Sequence, residues 1–362
     1  MPTAITQIAG RKVAAEKIPS WWEIEKIWYP KHLSLEQCSS EITARYKARL
    51  LQGDSLTDLT GGFGIDCSFL ATGFKSATYV ERQEELCEIA AHNFPVLNLN
   101  HINIKNEDGV TYLQVMSPVD SLFLDPARRN EHGGKTVAIS DCEPNVAELE
   151  ELLLQKANRV MIKLSPMLDL SLALKELKQT QEVHILSVNN ECKELLILLG
   201  QTSPAEISIH CVNLFTKGTQ KEQHFVFTRE QEQCSECTYT DSLETYLYEP
   251  NASLLKAGAF RSIAAAYPVR KLHPNSHLYT SDTFIENFPG RIFRIVNQCS
   301  FNKKEVKENL ADLKKANVTV RNFPATVAEL RKRIHLAEGG DTYLFASTLN
   351  NGQKVLIRCE KV

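Results

Sequence analysis

The chain has 362 residues, of which 43% are apolar and 23% charged, and a formal net charge of −3. That length leaves room for two domains and a small third, each able to bury a core, and no apolar run is long enough to span a bilayer. The ten cysteines are scattered, mostly inside apolar segments such as those around Cys67, Cys87, Cys192 and Cys211. That usage suits buried thiols in a reducing compartment and argues against a disulfide framework. The first residues lack a charged segment followed by an apolar one, so a cytoplasmic protein without a leader is expected. The charge is unevenly spread: from Arg270 onward 16 Lys and Arg face 9 Asp and Glu, a balance of +7, while the remainder carries −10. A basic C-terminal third on an acidic body points to a polyanion contact through that third.

In chain order, residues 1–50 read as polar helices punctuated by Trp21, Trp22 and Trp28-Tyr29-Pro30, with residues 34–47 running into a helix. Strands follow at 56–60, 77–81, 102–108, 121–125, 159–164 and 183–188. Helices lie between them at 65–71, 84–94, 110–115, 146–155 and 168–177. The strands are continuous apolar runs, as strands buried on both faces should be, and their regular alternation with helices predicts a doubly wound α/β sheet. Residues 207–215 and 224–228 read as antiparallel strands closing it, and 194–199 fits a helix or a strand. A polar linker is expected at 229–240; it holds one Cys234-x-x-Cys237 pair with no second pair at zinc spacing, so no metal site is expected. Beyond it a separate α+β module reads as strand 293–296, helix 303–315, strand 318–321, helix 327–335 and a hairpin of 343–347 and 355–358 around Asn350-Asn351-Gly352. The expected boundaries are 1–50 for a helical lobe, 51–232 for the α/β domain and 241–362 for the basic module.

The first strand ends in Asp58 and Thr60 and passes through Gly61, Gly62 and Gly64 into a helix. A strand, a glycine turn and a helix start make a nucleotide-binding edge. Read from Gly62, the third glycine of a dinucleotide fingerprint is Cys67, which disfavours NAD and FAD. An acidic residue followed by spaced glycines resembles instead the first motif of class I S-adenosylmethionine (SAM) methyltransferases. Glu81 ends the second strand, followed by Arg82, 23 residues past Asp58, the distance at which an acid reaches ribose hydroxyls. Asp108 ends the third strand, where it can meet an adenine amino group. Asp125-Pro126-Ala127-Arg128-Arg129 ends the fourth. Four acids at the carboxyl ends of successive parallel strands mark the ligand edge of such a sheet.

On these residues, with the segment 34–47 and the basic C-terminal module, nearly the whole chain is similar to bacterial class I SAM-dependent methyltransferases with a THUMP-like C-terminal domain. The resemblance implies a Rossmann-like fold, a THUMP-like (ferredoxin-like) module, SAM as cofactor and an RNA substrate, tRNA or rRNA. It places SAM against Asp58, Thr60, Gly61, Gly62, Gly64, Glu81, Arg82, Asp108 and Asp125. The acceptor then meets Asp125, Pro126, Arg128 and Arg129, Asp125 accepting its hydrogen bond or proton and the arginines holding a phosphate or carboxylate. The Asn130–Lys135 stretch could serve as a lid. Two departures leave the methylated atom open. Arg128 stands where amino-methylating enzymes carry a stacking aromatic. After the fifth strand, where uracil-C5 enzymes carry a cysteine, the chain reads Lys163-Leu164-Ser165-Pro166, and Cys192 is the nearest thiol. A protein or small-molecule methyltransferase, or a SAM-binding RNA-binding protein without catalysis, remain alternative readings.

Overall fold

The computed structural model describes residues 4–128, 138–202 and 204–362. They form two compact units, Met1–His210 with Leu214–Lys221, and Cys211–Asn213 with Glu222–Val362. The N-terminal helices are α1 (Ala4–Lys17), α2 (Pro19–Trp22), α3 (His32–Gln37) and α4 (Glu41–Ala48). Then β1 (Ser55–Asp58), β2 (Ser76–Glu81), β3 (Ile102–Asn106) and β4 (Val119–Leu124) alternate with α5 (Ile65–Ala71), α6 (Glu84–Val96) and α7 (Gly109–Val115). A short pair, β5 (Ala127–Arg128) and β6 (Cys142–Glu143), precedes α8 (Val146–Lys156), β7 (Ala157–Leu164), α9 (Leu170–Glu176) and β8 (Thr180–Val188). The remaining strands of the large sheet are β9 (Glu191–Gly200), β10 (Ser208–Leu214) and β11 (Glu222–Thr228).

The nine-stranded order is β11-β10-β8-β9-β7-β4-β1-β2-β3. Strands β7, β4, β1, β2 and β3 pair in parallel, and the strand order reverses at β1 and β4. Ligands of open α/β sheets bind at such a switch, outside the carboxyl ends of the strands. Residues 194–199 are settled as strand: β9 runs antiparallel to both neighbours, β7 and β8. Leu195 to Leu199 are all fully buried, and a strand covered on both faces shows no alternation, which is why its sequence also fits a helix.

The N-terminal helices pack on the glycine turn and the helices that follow it. Trp21, Ile27, Tyr29 and Leu35 share one core with Phe63, Ile65, Leu86 and Ile89, and Trp21 meets Phe63 edge to face at 5.2 Å.

In the second unit, α10 (Arg229–Cys234) occupies the first part of the expected linker, 229–240. Thr228 and Gln231 form a reciprocal capping box at its start, a helix signal that the polar composition of the stretch masks. The rest comprises β12 (Tyr246–Pro250), α11 (Ala252–Ala257), α12 (Phe260–Ala266), β13 (Arg270–Lys271), β14 (Tyr279–Ser281), β15 (Gly290–Ser300), α13 (Lys303–Leu310), β16 (Asn317–Val320), α14 (Val327–Ile334), β17 (Thr342–Thr348) and β18 (Lys354–Lys361). The order β13-β14-β12-β15-β18-β17-β16 makes one sheet, so the strands from β15 onward continue the sheet begun at β12. Leu310 of α13 and Leu330 of α14 pack in one core with Leu344, Ala346 and Leu356, placing both helices on the same face of that sheet.

Candidate active site

The apolar strands of the large sheet end in charged side chains at one edge: Asp58 on β1, Glu81 on β2, Asp125 just past β4, and Lys163 near the end of β7. Glu81 fastens the glycine turn. Its Oε2 accepts from the Gly62 N–H at 2.9 Å and its Oε1 from the Gln83 N–H at 2.8 Å, while the Tyr79 hydroxyl donates to the Gly62 carbonyl at 2.5 Å. The glycines differ in what requires them. A Cβ on Gly61 would lie 2.2 Å from the Tyr79 ring, so protein packing demands it; one on Gly62, at φ +54°, would meet only the Thr60 carbonyl at 3.8 Å. The open side of Gly62 leaves backbone available to a ligand.

Beside the turn lies a cavity of about 200 Å³, lined among others by Thr60, Glu81, Arg82, Asp108 and Asp125. These are five of the nine residues expected to hold a cofactor. Gly61, Gly62 and Gly64 shape the turn without lining the cavity, and Gly64 is the left-handed N-cap of α5. Asp108 caps α7: its Oδ1 accepts from the Val110 and Thr111 N–H groups, both at 3.0 Å. Arg82 is exposed, with Glu143 at 3.8 Å. Asp58 sits beneath the turn, 1% exposed. Its Oδ1 accepts from the Thr60 N–H at 3.0 Å, whereas its Oδ2 is buried with no partner among the described residues. Pro126 is buried, and the next two residues pair as β5 with β6, Ala127 against Glu143 and Arg128 against Cys142. That pairing brings Glu143 and Pro144 to the cavity wall, a contribution the sequence reading missed. Only the backbone of Arg128 is described; Arg129 and the Asn130–Lys135 stretch lie outside the described residues.

Behind Asp125 is a buried ionic network. Lys163 Nζ donates to Asp125 Oδ2 at 2.5 Å, to Ser39 Oγ at 3.1 Å and to Asp66 Oδ2 at 3.3 Å. Lys47, fully buried, reaches Glu194 Oε2 at 2.6 Å, Ser39 Oγ at 2.9 Å and Asp66 Oδ1 at 3.0 Å. Ser39 Oγ in turn donates to Asp66 Oδ2 at 2.7 Å. Among the described residues two ammonium groups thus face three carboxylates, leaving one negative charge. Burial alone would raise Asp66, but Lys47 and Lys163 hold it down at about 2. Burial would lower Lys163, but Asp125, Asp66 and Glu194 hold it well above the ordinary lysine range. The Asp125 side chain, 37% exposed into the cavity, is still raised by desolvation, with Lys163 pulling the other way. The sequence reading missed Lys47, Asp66, Lys163 and Glu194. A charged residue inside an apolar run, as in Val160-Met-Ile-Lys163-Leu164, is the signal that could have found Lys163.

Among the described residues Asp58 has no such cation, and burial pushes its carboxyl up to about 8. The folded chain therefore favours protonated Asp58, and stability is lost as pH rises from about 4, the ordinary aspartate range, to about 8. Asp58→Asn cannot ionise and escapes that loss. Denaturant titration should show the variant's advantage growing from pH 4 to pH 8, reaching about several kcal/mol at most; a gap independent of pH would contradict the buried, unpaired carboxyl.

On the far side of the Asp125–Lys163 pair is a larger cavity of about 1290 Å³, walled by α1, the α3–α4 turn, Lys163, Asn189, Glu194 and Phe215. Cys192 lines neither cavity. Elsewhere in this unit Glu182, His184 and His210 hold ligand atoms within 4.8 Å of one another. Hydrogen bonds account for His184: Nδ1 meets the Tyr46 hydroxyl at 2.8 Å and Nε2 the Glu182 carboxylate at 3.2 Å. No helix among the described residues is long and apolar enough to cross a membrane.

Residues 246–289 match a family described as a ferredoxin-like domain, and residues 290–361 one described as THUMP domain-like. A search of curated proteins returned no match. Among solved structures, a candidate methyltransferase from Porphyromonas gingivalis W83 is 37% identical, with a TM-score of 0.89 over 99% of this chain and 89% of its own. An rRNA methylase from Streptococcus thermophilus, 15% identical with a TM-score of 0.32, covers 44% of this chain and 93% of its own. A candidate methyltransferase from Streptococcus mutans solved with SAH, 14% identical with a TM-score of 0.32, covers 44% and 96%. The last two likenesses are too slight to bear on function. The first is not: identity of 37% across 99% of the residues, with the THUMP-like segment at the C-terminus, means that the chain belongs to the class I methyltransferase family with a THUMP-like C-terminal domain.

Proposed function

We propose that the protein transfers a methyl group from SAM to an RNA, tRNA or rRNA, in the cytoplasm. The observation that carries this reading is the cavity at the sheet's carboxyl edge, ringed by Thr60, Glu81, Asp108 and Asp125 above the unpartnered buried Oδ2 of Asp58. These residues fit SAM. Glu81 would take its ribose hydroxyls and the second oxygen of Asp108 its adenine amine, beside the open backbone of Gly62. The residual negative charge of the network behind Asp125 complements a sulfonium. SAM supplies a methyl on a leaving group that needs no further activation. What the chain adds is alignment, a dry site and a carboxylate at the acceptor.

The RNA part of the reading rests on the THUMP-like segment and on the charges its helices expose. Lys303, Lys304 and Lys307 on α13, and Lys332 and Arg333 on α14, are all exposed, on helices that share one face of the sheet. A cut before Arg270 would remove β13 and β14 and every strand after them, so charge reversal is the cleaner test. Lys303→Glu, Lys307→Glu and Lys332→Glu together should weaken RNA binding and flatten its salt dependence. The slope of log affinity against log salt should fall by about 0.7 per lost single-strand phosphate contact. Unchanged affinity and slope in the folded triple variant would remove this surface from the RNA contact.

A further inference from the structure

Asp125 lines the smaller cavity and Lys163 the larger one, and the two side chains touch at 2.5 Å. At that point one ion pair separates the cavities. Transfer needs donor and acceptor within near-attack distance, so the acceptor must come to Asp125, and the larger cavity offers a way in. We propose that this cavity, under the N-terminal helices, is the acceptor site, and that it takes an RNA nucleobase through a nitrogen that bears hydrogen. The inference rests on the methyltransferase reading above.

The size fits. About 1290 Å³ exceeds the roughly 300–1,000 Å³ of ordinary small-molecule pockets and leaves room for a base with its sugar and flanking phosphates. The lining fits as well. Phe215 is half-buried in the wall and gives a base a stacking face, a contact worth about 1–3 kcal/mol per base in single-stranded complexes. Lys12 and Lys193 also line the cavity. Among the described residues Lys193 pairs with Glu191 at 2.6 Å, an exposed interaction weak enough to yield to a phosphate.

The choice of nitrogen follows from Asp125 and from the thiols. Lys163 pins Asp125 Oδ2, while Oδ1 has no partner among the described residues and can accept from an N–H. Asp125 then takes the proton that the nitrogen gives up as its lone pair forms the N–CH3 bond and the former S–CH3 pair stays on sulfur. Carbon methylation of a uracil-type ring would need a thiolate instead. The cavity's cysteine, Cys38, donates to the Leu35 carbonyl at 3.1 Å, and burial pushes its thiol up to about 11. Lys163 spends its protons on Asp125, Ser39 and Asp66, which makes it a positioning residue.

The test uses the full chain and total RNA, substituted with 4-thiouridine, from cells lacking the protein. Irradiated without SAM, the RNA should crosslink to peptides containing Phe215 or Lys193. With SAM, nucleoside mass spectrometry should show an N-methylated base. Phe215→Ala should keep the wild-type SAM affinity and lose roughly 10- to 100-fold in kcat/KM, the scale of one base stack. RNA that is methylated while crosslinks fall wholly outside the cavity, or while Phe215→Ala and Lys193→Glu both keep wild-type kcat/KM, would overturn the acceptor site and leave the RNA reading standing. A C-methylated product would overturn the nitrogen assignment. An absence of both crosslink and methyl transfer would overturn the RNA reading and this inference together.

Discussion

Asp125→Ala is expected to bind SAM nearly as well as the wild type and to turn over about 10²–10⁴-fold more slowly, the range for a positioned acid–base group. The structure separates that role from a structural one. The backbone N–H of Asp125, not its carboxylate, ties the turn to the segment just past β1, by donating to Thr60 Oγ1 at 2.6 Å. The carboxylate meets Lys163 and accepts from no backbone N–H among the described residues. Its removal should therefore leave the turn in place while Lys163 keeps Asp66 and Ser39 as partners. Asp125→Asn keeps an acceptor for Lys163 and should be as slow as the alanine variant if the carboxylate takes a proton. Steady-state and SAM-titration measurements on both variants check this. A folded, SAM-binding Asp125→Ala with the wild-type rate would pass the catalytic role to Arg128 and Arg129.

The second large effect is expected at Lys47, far from the cofactor cavity in sequence but part of the network that holds Asp125. Lys47→Met leaves Asp66 and Glu194 buried with Lys163 as the remaining cation. Breaking a buried ion pair from one side costs about 3–5 kcal/mol, because the uncompensated charge stays desolvated. For a unit of this size that lowers Tm by about 10 °C. The pH dependence identifies the cause. Asp66 is ordinarily held at about 2 by Lys47 and Lys163, a shift that adds stability above the ordinary aspartate range. Without Lys47 its pKa rises, so the deficit should be largest near pH 8 and shrink as pH falls through the carboxylate range. Thermal melts of the full chain at about pH 3 and pH 8 check the sign. An equal Tm at pH 8 would show that the network contributes nothing to stability.

How much of this was legible in the sequence depended on how local the signal was. The acids at Asp58, Glu81 and Asp125 could be read because each closes an apolar strand, and the strand ends fix the ligand edge; Asp108, expected at the end of the third strand, instead lies past β3, which ends at Asn106, and caps α7. The helices and strands from Phe293 onward were readable for the same reason, since each element alternates apolar and polar residues at its own period. Residues 241–289 were not resolved into β12, two short helices and a narrow β13–β14 pair, because elements of two to seven residues carry too little periodicity. The network was the least legible part. Lys47 and Glu194 meet across 147 residues, and nothing local tells that a lysine in a polar helix is fully buried. Gly61 shows the converse: its glycine was legible, but the reason is the Tyr79 ring beneath it, not a ligand above it.

The central claim is methyl transfer from SAM to RNA at the Asp125 edge. It is tested most directly by incubating the purified chain with methyl-labelled SAM and total RNA from cells that lack the protein, then digesting the RNA to nucleosides. Label is expected in one modified nucleoside that is absent from the untreated RNA, and none with Asp125→Ala. Label that fails to enter RNA, while the same preparation binds SAM, would contradict it.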